Sequence, residues 1–222
     1  MDIKVELSEK QKSAVFSKSE SIYVKASAGS GKTRVLTERV RYLLSQTDKK
    51  ILALTFTNKA GEEIKERLSD IENINEKSFI GTFHSFCQTI LENRIHLLGY
   101  DEMPHIFENE NDRLELIEKS IQQIPSFASS YAEQDKKQQK DFRYRALKFI
   151  SEVKHESIID IESYTDDEDT ILLYREYQDV LRTQNAIDYD DLLLLAYQIF
   201  IEFPKIASRS EERRVGKECA TG

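Results

Sequence analysis

Hydrophobic residues in the first hundred positions alternate between short continuous runs and helical spacing. The continuous runs Ser21–Lys25, Lys50–Thr55 and Ser78–Gly81 predict three buried strands. Apolar residues recur at helical spacing after each run: Val35, Leu36, Val40, Leu43 and Leu44, then Ile64 and Leu68, then Phe83, Phe86, Ile90 and Leu97. Strands alternating with helices predict a parallel sheet with right-handed crossovers and helices on its faces.

The pattern changes between about Glu108 and Asn185, where no strand is predicted. Three helical stripes of apolar residues replace it: Leu114, Ile117, Ile121 and Ile124, then Ala146, Phe149, Ile150 and Val153, then Leu173, Tyr177 and Val180. Pro125 ends the first stripe, and the polar run Asp135–Lys140 indicates a solvated helix face or loop. The acidic run Thr165–Asp169 indicates a loop or helix start. This block predicts a helical subdomain inserted into the α/β domain.

Composition narrows the class of protein. The chain has 222 residues, 39% hydrophobic and 32% charged, with a net charge of -8. An acidic total argues against a general nucleic-acid coat protein but is compatible with a local basic groove. The two cysteines, Cys87 and Cys219, fit neither a disulfide framework nor a metal site, and indicate a reducing cytosol. No secretory signal or membrane-length apolar run is present, so we expect a cytoplasmic protein.

A glycine-rich loop carries the candidate chemistry. Ala26–Thr33 reads Ala-Ser-Ala-Gly-Ser-Gly-Lys-Thr, between a predicted strand and a predicted helix. Such a loop holds phosphate through backbone N–H groups and the helix N-terminus. Lys32 would reach the β- and γ-phosphates, and the Thr33 hydroxyl would ligate Mg²⁺. The usual pattern has glycine where Ala26 stands, and the alternative is a flexible linker. Linkers are seldom followed at once by Lys-Thr and an amphipathic helix.

Two other polar features have a structural and a functional interpretation. Ser8 and Gln11 form a capping-box pattern at the start of a short helix, but a glutamine upstream of a phosphate loop can also contact adenine. Asp188, Asp190 and Asp191 cluster at the start of the helix in Ile187–Leu195. Carboxylates there either complement the helix dipole or act in catalysis. Composition leaves both alternatives open.

Three further segments accompany Gln11 and the loop: Thr55–Arg67, Gly81–Phe86 and Ile187–Leu192. With these residues in order, the chain resembles the UvrD/Rep/PcrA-type superfamily 1 DNA helicases over most of residues 7–200. Gln11 stands at the family's Q motif, and Ala26–Thr33 matches its A-x-x-G-x-G-K-T form. Thr55–Arg67 is similar to motif Ia and Gly81–Phe86 to motif Ib. Ile187–Leu192, Ile-Asp-Tyr-Asp-Asp-Leu, is similar to the segment that follows the family's inserted 1B subdomain.

The resemblance implies ATP and Mg²⁺ as cofactors and 3′-to-5′ translocation on DNA. The nucleotide would contact Gln11, the loop and Arg34, and Lys32 and Thr33 would serve catalysis. The implied nucleotide-binding set is Gln11, Ala26, Ser27, Ala28, Gly29, Ser30, Gly31, Lys32, Thr33 and Arg34. The implied DNA-binding set is Phe56, Thr57, Asn58, Thr82, Phe83 and His84. Aromatic rings stack on bases without reading sequence, and short polar side chains hold phosphates. Without the resemblance, Phe83 and Phe86 would be interpreted as core and His84 as a satisfied polar residue.

The resemblance also implies a domain plan. Residues 1–107 would be the first part of an incomplete RecA-like domain 1A, residues 108–185 the all-helical subdomain 1B, and residues 186–208 a return to 1A. From Arg209 onward the chain reads like translated adapter sequence, so residues 209–222 are interpreted as a non-native tail. We expect a monomer that contacts single-stranded or partially duplex DNA and no membrane.

One departure from the family limits the expected activity. A Walker B Asp-Glu pair should follow the Asp-Asp-Leu helix, because such carboxylates hold Mg²⁺ and activate water. The chain has no pair of that form after Leu192, and no second motor domain. It is therefore interpreted as the N-terminal part of a helicase, inactive alone. The alternatives are a nucleotide- or DNA-binding module without turnover and, more weakly, a small P-loop kinase.

Overall fold

A computed structural model describes residues 7–27, 29–209 and 213–216. The chain divides into two compact units, the first comprising Met1–Phe86 with Ser210–Gly222 and the second comprising Cys87–Arg209. Within the described residues, every helix is too short or too polar to cross a bilayer.

Helices precede and flank a small parallel sheet in the first unit. Its elements are α1 (Glu9–Phe16), α2 (Lys32–Gln46), β1 (Ile51–Thr55), α3 (Asn58–Arg67), α4 (Ile74–Lys77), β2 (Ser78–Thr82) and the start of α5 (Phe83–Arg94). β1 pairs in parallel with β2, with Ile51 opposite Ser78 and Thr55 opposite Thr82. The parallel sheet and the strands predicted at Lys50–Thr55 and Ser78–Gly81 are thus confirmed.

The second unit is mainly helical. After the 3-10 turn Ile95–Leu98, its elements are β3 (His105–Phe107), α6 (Glu110–Gln123), α7 (Pro125–Ala132), α8 (Lys136–His155), a 3-10 turn (Ile161–Ser163), α9 (Glu168–Thr183), β4 (Ala186–Asp188), α10 (Asp191–Glu202) and α11 (Pro204–Arg209). The three predicted apolar stripes lie on α6, α8 and α9 and share one buried core. Pro125 ends the stripe as predicted, but it also begins α7, since proline is favoured at a first helical position.

A third strand, β5 (Arg213–Gly216), pairs in parallel with the other edge of β1 and gives the order β2-β1-β5. It lies within the segment predicted to be a non-native tail. The first unit's core lies between this sheet and its helices. It comprises Leu36, Val40 and Leu43 of α2, Ile51 and Ala53 of β1, Ile64 and Leu68 from α3 and its C-cap, and Ile80 of β2.

The prediction of a strand at Ser21–Lys25 is wrong. The structure assigns no strand to these residues, and the Tyr23 side chain is 75% exposed. β-branched and aromatic residues favour strands mainly by packing on a sheet that accepts them. Within the described residues both edges of β1 are paired, by β2 and β5, and no ladder includes Ser21–Lys25.

The aspartates at the start of α10 lie in a buried ionic cluster of the second unit. Lys154 Nζ lies 2.8 Å from Asp188 Oδ2 and 2.8 Å from Asp191 Oδ1. Asp190 pairs with Arg113 and accepts a hydrogen bond from Ser151 Oγ at 2.7 Å. The predicted dipole role therefore does not describe these carboxylates fully, because all three bind side chains of the helical block.

Burial and pairing set the protonation of this cluster. Burial alone would raise the pKa of Asp188, but the charges of Lys154 and Arg113 outweigh it and hold the pKa below its usual value. Burial, with the Asp188 charge, raises the pKa of Asp191 to about 6. Burial opposes the charge on Lys154, but the two carboxylates outweigh it and raise the pKa of Lys154. Near neutral pH the cluster is a set of ion pairs.

Candidate functional site

The glycine-rich loop folds back on itself before α2. Ser30 donates to the Ser27 carbonyl from its backbone N at 3.3 Å and from its Oγ at 2.7 Å. Gly31 caps α2 with φ of 85°, a left-handed conformation that favours glycine. The predicted loop is therefore a tight turn leading directly into a helix. Ala28 lies outside the described residues.

The Lys32 side chain points into this loop. Its Nζ donates to the Ala26 carbonyl at 2.9 Å and to the Ser27 carbonyl at 3.3 Å. The ammonium is thus held by the loop's own oxygens, at the first residue of α2. This position puts a cation inside the turn that is predicted to hold phosphate.

The start of α2 has the chemistry of an anion site. Gly31 offers no side-chain cap, and the first helical hydrogen bond runs from Val35 N to Gly31 O at 3.0 Å. Amides of a helix's first turn precede the hydrogen-bond ladder and favour a bound anion. Lys32 and these amides fit a triphosphate. The Thr33 hydroxyl, at the second helical residue, would hold Mg²⁺, which would offset phosphate charge.

Gln11 is a residue of helix α1 that also contacts the loop. The capping box predicted with Ser8 is present, and Ser8 N donates to Gln11 Oε1 at 2.9 Å. The other end of the amide, Nε2, donates to the Ser30 carbonyl at 3.2 Å. Gln11 therefore lies beside the loop. Arg34 lies in the first turn of α2, and its side chain is half-buried.

A second group of predicted residues lies where β1 and β2 end. Because these strands are parallel and Thr55 is opposite Thr82, the residues that follow them leave the same edge of the sheet. Phe56 is 64% exposed and Phe83 is 51% exposed. The interpretation of Phe83 as core is therefore wrong, since half its surface is exposed. Phe86, in contrast, packs against Phe79 with ring centroids 5.3 Å apart.

The polar residues of this group differ in their exposure. Thr57 caps α3, its hydroxyl accepting from Ala60 N at 3.2 Å, and Asn58 is exposed at the first position of that helix. Thr82 is buried, and its backbone N donates to Ser85 Oγ at 2.8 Å. His84 is half-buried. Thr82 thus fixes the start of α5.

Sequence reasoning missed the residues that link the end of β1 and helix α3 to the end of β2. Thr55 Oγ1 donates to Thr57 O at 3.0 Å and contacts Gly81 O at 3.3 Å. A Cβ added at Gly61 would lie 3.4 Å from Gly81 Cα, so α3 approaches β2 at backbone distance. A threonine ending an apolar strand and a glycine inside a helix are the signals that could have indicated this contact.

The cysteine on α5 that follows the Gly81–Phe86 segment is not an activated nucleophile. Burial raises the pKa of the Cys87 thiol on α5 to about 11, so it is a neutral thiol. Within residues 7–27, 29–209 and 213–216, histidine, cysteine and carboxylate side chains form no group that could hold a metal ion.

Most of the chain matches a known protein family. The family described as UvrD/REP helicase N-terminal domain matches residues 7–214, ending inside β5. A probable DNA helicase II homolog of Mycoplasma capricolum is 32% identical over 212 residues, which cover 91% of this chain and 28% of that protein. The ATP-dependent DNA helicase UvrD1 of Mycobacterium leprae is 31% identical, covering 93% of this chain and 27% of that protein.

A eukaryotic relative is similar over much of the chain. The ATP-dependent DNA helicase SRS2 of Saccharomyces cerevisiae is 35% identical over 208 residues, 84% of this chain and 18% of that protein. The chain thus spans less than a third of the length of these relatives.

Proposed function

The chain belongs to the UvrD/REP helicase N-terminal domain family, and on that premise we propose that it binds Mg-ATP and single-stranded DNA. It is the N-terminal part of an ATP-dependent 3′-to-5′ DNA helicase. The observation that carries this proposal is Lys32, whose ammonium lies 2.9 Å from the Ala26 carbonyl inside a turn that leads into α2. A bound triphosphate would accept hydrogen bonds from the Lys32 ammonium and from the amides of the first turn of α2.

The other nucleotide contacts follow from position. Gln11 would contact the adenine edge, since an amide can both donate to and accept from it. Arg34 would pack against the base, and Thr33 would hold Mg²⁺. Support comes from the placement of Gln11, whose Nε2 lies 3.2 Å from Ser30 O in the loop.

DNA would run along the sheet edge where β1 and β2 end. Exposed Phe56 and Phe83 would stack on bases, and Asn58 with the start of α3 would contact phosphate. Thr57, Thr82 and His84 would line the same path. Stacking needs no base-specific hydrogen bonds, so binding would be tolerant of sequence.

We also propose the domain plan of this family for the chain. Residues 1–107 and 186–208 would form the RecA-like domain 1A, and residues 108–185 the helical subdomain 1B. The parallel strands β1 and β2 within residues 1–107 and the helices α6, α8 and α9 within residues 108–185 support this assignment. Its boundaries differ from those of the compact units, because the second unit also includes residues 87–107 and 186–209. Residues 209–222 would be a non-native tail, and the chain would be a monomer in the cytoplasm.

Binding without turnover is the activity we propose for these 222 residues. After Leu192 they contain no Asp-Glu pair of the Walker B form, so no carboxylate pair of that form would activate water. The chain would then act as a nucleotide- and DNA-binding module.

Titration with a fluorescent ATP analogue and Mg²⁺ tests the nucleotide site. Lys32→Ala should weaken binding by at least about tenfold, because a charged hydrogen-bond donor to phosphate is lost. Lys49→Ala is the matched control, since Lys49 is an exposed lysine of the same unit between α2 and β1. Equal binding by wild type and Lys32→Ala would contradict the proposal.

A further inference from the structure

Arg39 of α2 binds the C-terminal end of helix α1, and α1 carries Gln11. We propose that Arg39 is a positioning residue for the adenine-binding part of the nucleotide site, acting through α1 and Gln11. This inference rests on the proposed function, because it assigns Arg39 a role at that same site. Arg39 lies in the middle of α2, beyond the loop and outside the segments that resemble family motifs.

Arg39 binds the end of α1 opposite to its cap. Its Nη1 donates to Val15 O at 2.7 Å and to Ser17 O at 2.6 Å. The last carbonyls of a helix have no intrahelical donor, and a cation there is favoured by the helix dipole. One guanidinium thus binds two carbonyls at the C-terminus of α1, that of Val15 in the helix and that of its C-cap Ser17, and ties that end to α2.

Aromatic packing fixes the same end. The Arg39 guanidinium lies 5.7 Å from the centroid of the Tyr42 ring. Phe16, the last residue of α1, packs edge-to-face on Tyr42 with centroids 5.2 Å apart. Arg39 therefore has a defined position between the end of α1 and an aromatic residue of its own helix.

Helix α1 has few buried residues of its own. The helix has eight residues, of which only Val15 is fully buried, and a helix of that length is marginal by itself. Residues 17–27, which follow it, form no helix or strand within the described residues and are mostly exposed. The position of α1 thus depends on its contacts with α2, to which Arg39 contributes two charged hydrogen bonds.

The N-terminal end of α1 meets the loop through Gln11. Its Oε1 accepts from Ser8 N at 2.9 Å and its Nε2 donates to Ser30 O at 3.2 Å. A Cβ added at Gly31 would lie 3.0 Å from Gln11 Nε2, so the amide lies closely against the loop. A shift of α1 would move this amide away, while Lys32 and the first turn of α2 would keep their places.

The experiment measures competition by ATP and by tripolyphosphate against a fluorescent ATP analogue, with Mg²⁺, on the 222-residue chain. Arg39→Met should weaken ATP binding about tenfold and leave tripolyphosphate binding unchanged. Arg39→Lys, which keeps the charge and can bind one carbonyl, should recover part of the loss. Arg41→Met is the matched control, because Arg41 lies on α2 but binds Asp70 and Arg67 O, and it should change neither value.

A double-mutant cycle shows whether the effect runs through Gln11. In the Gln11→Ala chain, Arg39→Met should cause no further loss of ATP affinity, since the residue it positions is already gone. Additive losses, equal losses for ATP and tripolyphosphate, or no loss in Arg39→Met would each overturn the inference. Should Arg39→Met fail to fold, Arg39→Lys is measured in the same cycle with the same criteria. Failure of the wild type to bind ATP would instead refute the proposed function.

Discussion

Lys154 and Asp188 form a fully buried ion pair, with Nζ 2.8 Å from Oδ2 and neither side chain exposed to solvent. Tyr177 donates its hydroxyl to the same Oδ2 at 2.9 Å. Asp188 N donates to Asp191 Oδ2 at 2.9 Å, and Asp191 N donates to Asp188 Oδ1 at 3.0 Å. The pair thus joins helix α8 to the turn between β4 and α10, where the family-like Ile-Asp-Tyr-Asp-Asp-Leu segment lies.

Removing the cation should destabilise the second unit. Lys154→Met leaves Asp188 and Asp191 buried without their shared ammonium, and we expect the free energy of unfolding to fall by about 3–5 kcal/mol. Urea unfolding followed by circular dichroism measures this. Lys148→Met is the control, because Lys148 is on the same helix, 78% exposed, and bound only at 3.7 Å to Glu152. It should cost less than about 1 kcal/mol, and an equal cost would contradict the assigned role.

The contribution of Asp188 should depend on pH. Because its pKa is held below the usual value, its stabilisation is present above the unfolded pKa of about 3.9 and is lost as pH falls through the folded pKa. Asp188→Asn should therefore be most destabilising at pH 7, and its difference from wild type should shrink below about pH 4. Asp141→Asn, on the exposed surface of α8, is the control. A difference that grew on acidification would contradict this sign.

Local patterns predicted most of the helices. The stripes on α6, α8 and α9 were readable because their spacing and caps lie within one element; Asp135 and Asp167 cap α8 and α9 directly. The glycine-rich loop was predictable for the same reason. The end of α3 was less predictable, because the structure ends this helix at Arg67, before Leu68, the last apolar residue of its stripe.

Features that depend on distant partners were not predictable. The run Ser21–Lys25 has strand-forming residues, but whether it forms a strand depends on a neighbouring strand elsewhere in the chain. Lys154 shows the same limit. It lies at helical spacing from buried Leu147 and Ile150, yet a lysine is normally exposed, and its partner Asp188 comes 34 residues later.

Gly31 should be required for both stability and nucleotide binding. Gly31→Ala places a Cβ at φ of 85° and 3.0 Å from Gln11 Nε2, so we expect a loss of about 1–2 kcal/mol from the backbone conformation and weaker binding of the ATP analogue. Gly99→Ala is the control, because φ there is 81° and the nearest atom lies at 3.7 Å. It should lose stability only. Unchanged nucleotide affinity in Gly31→Ala would show that the loop tolerates the displaced Gln11.

Phe56 and Phe83 should each contribute to binding of single-stranded DNA. Phe56→Ala and Phe83→Ala remove exposed rings at the end of β1 and β2, and each should weaken binding of a fluorescent oligothymidylate about tenfold, the energy of one stacked base. Fluorescence anisotropy measures the affinity. Tyr197→Ala, which removes an exposed aromatic ring of α10, is the control and should bind like wild type.

The affinity for single-stranded DNA should also fall as the salt concentration rises, because phosphate contacts release counterions. The slope of this dependence should be the same in the phenylalanine variants, since they remove no charge. A salt-independent affinity, or wild-type binding by both phenylalanine variants, would exclude this edge of the sheet as the DNA path.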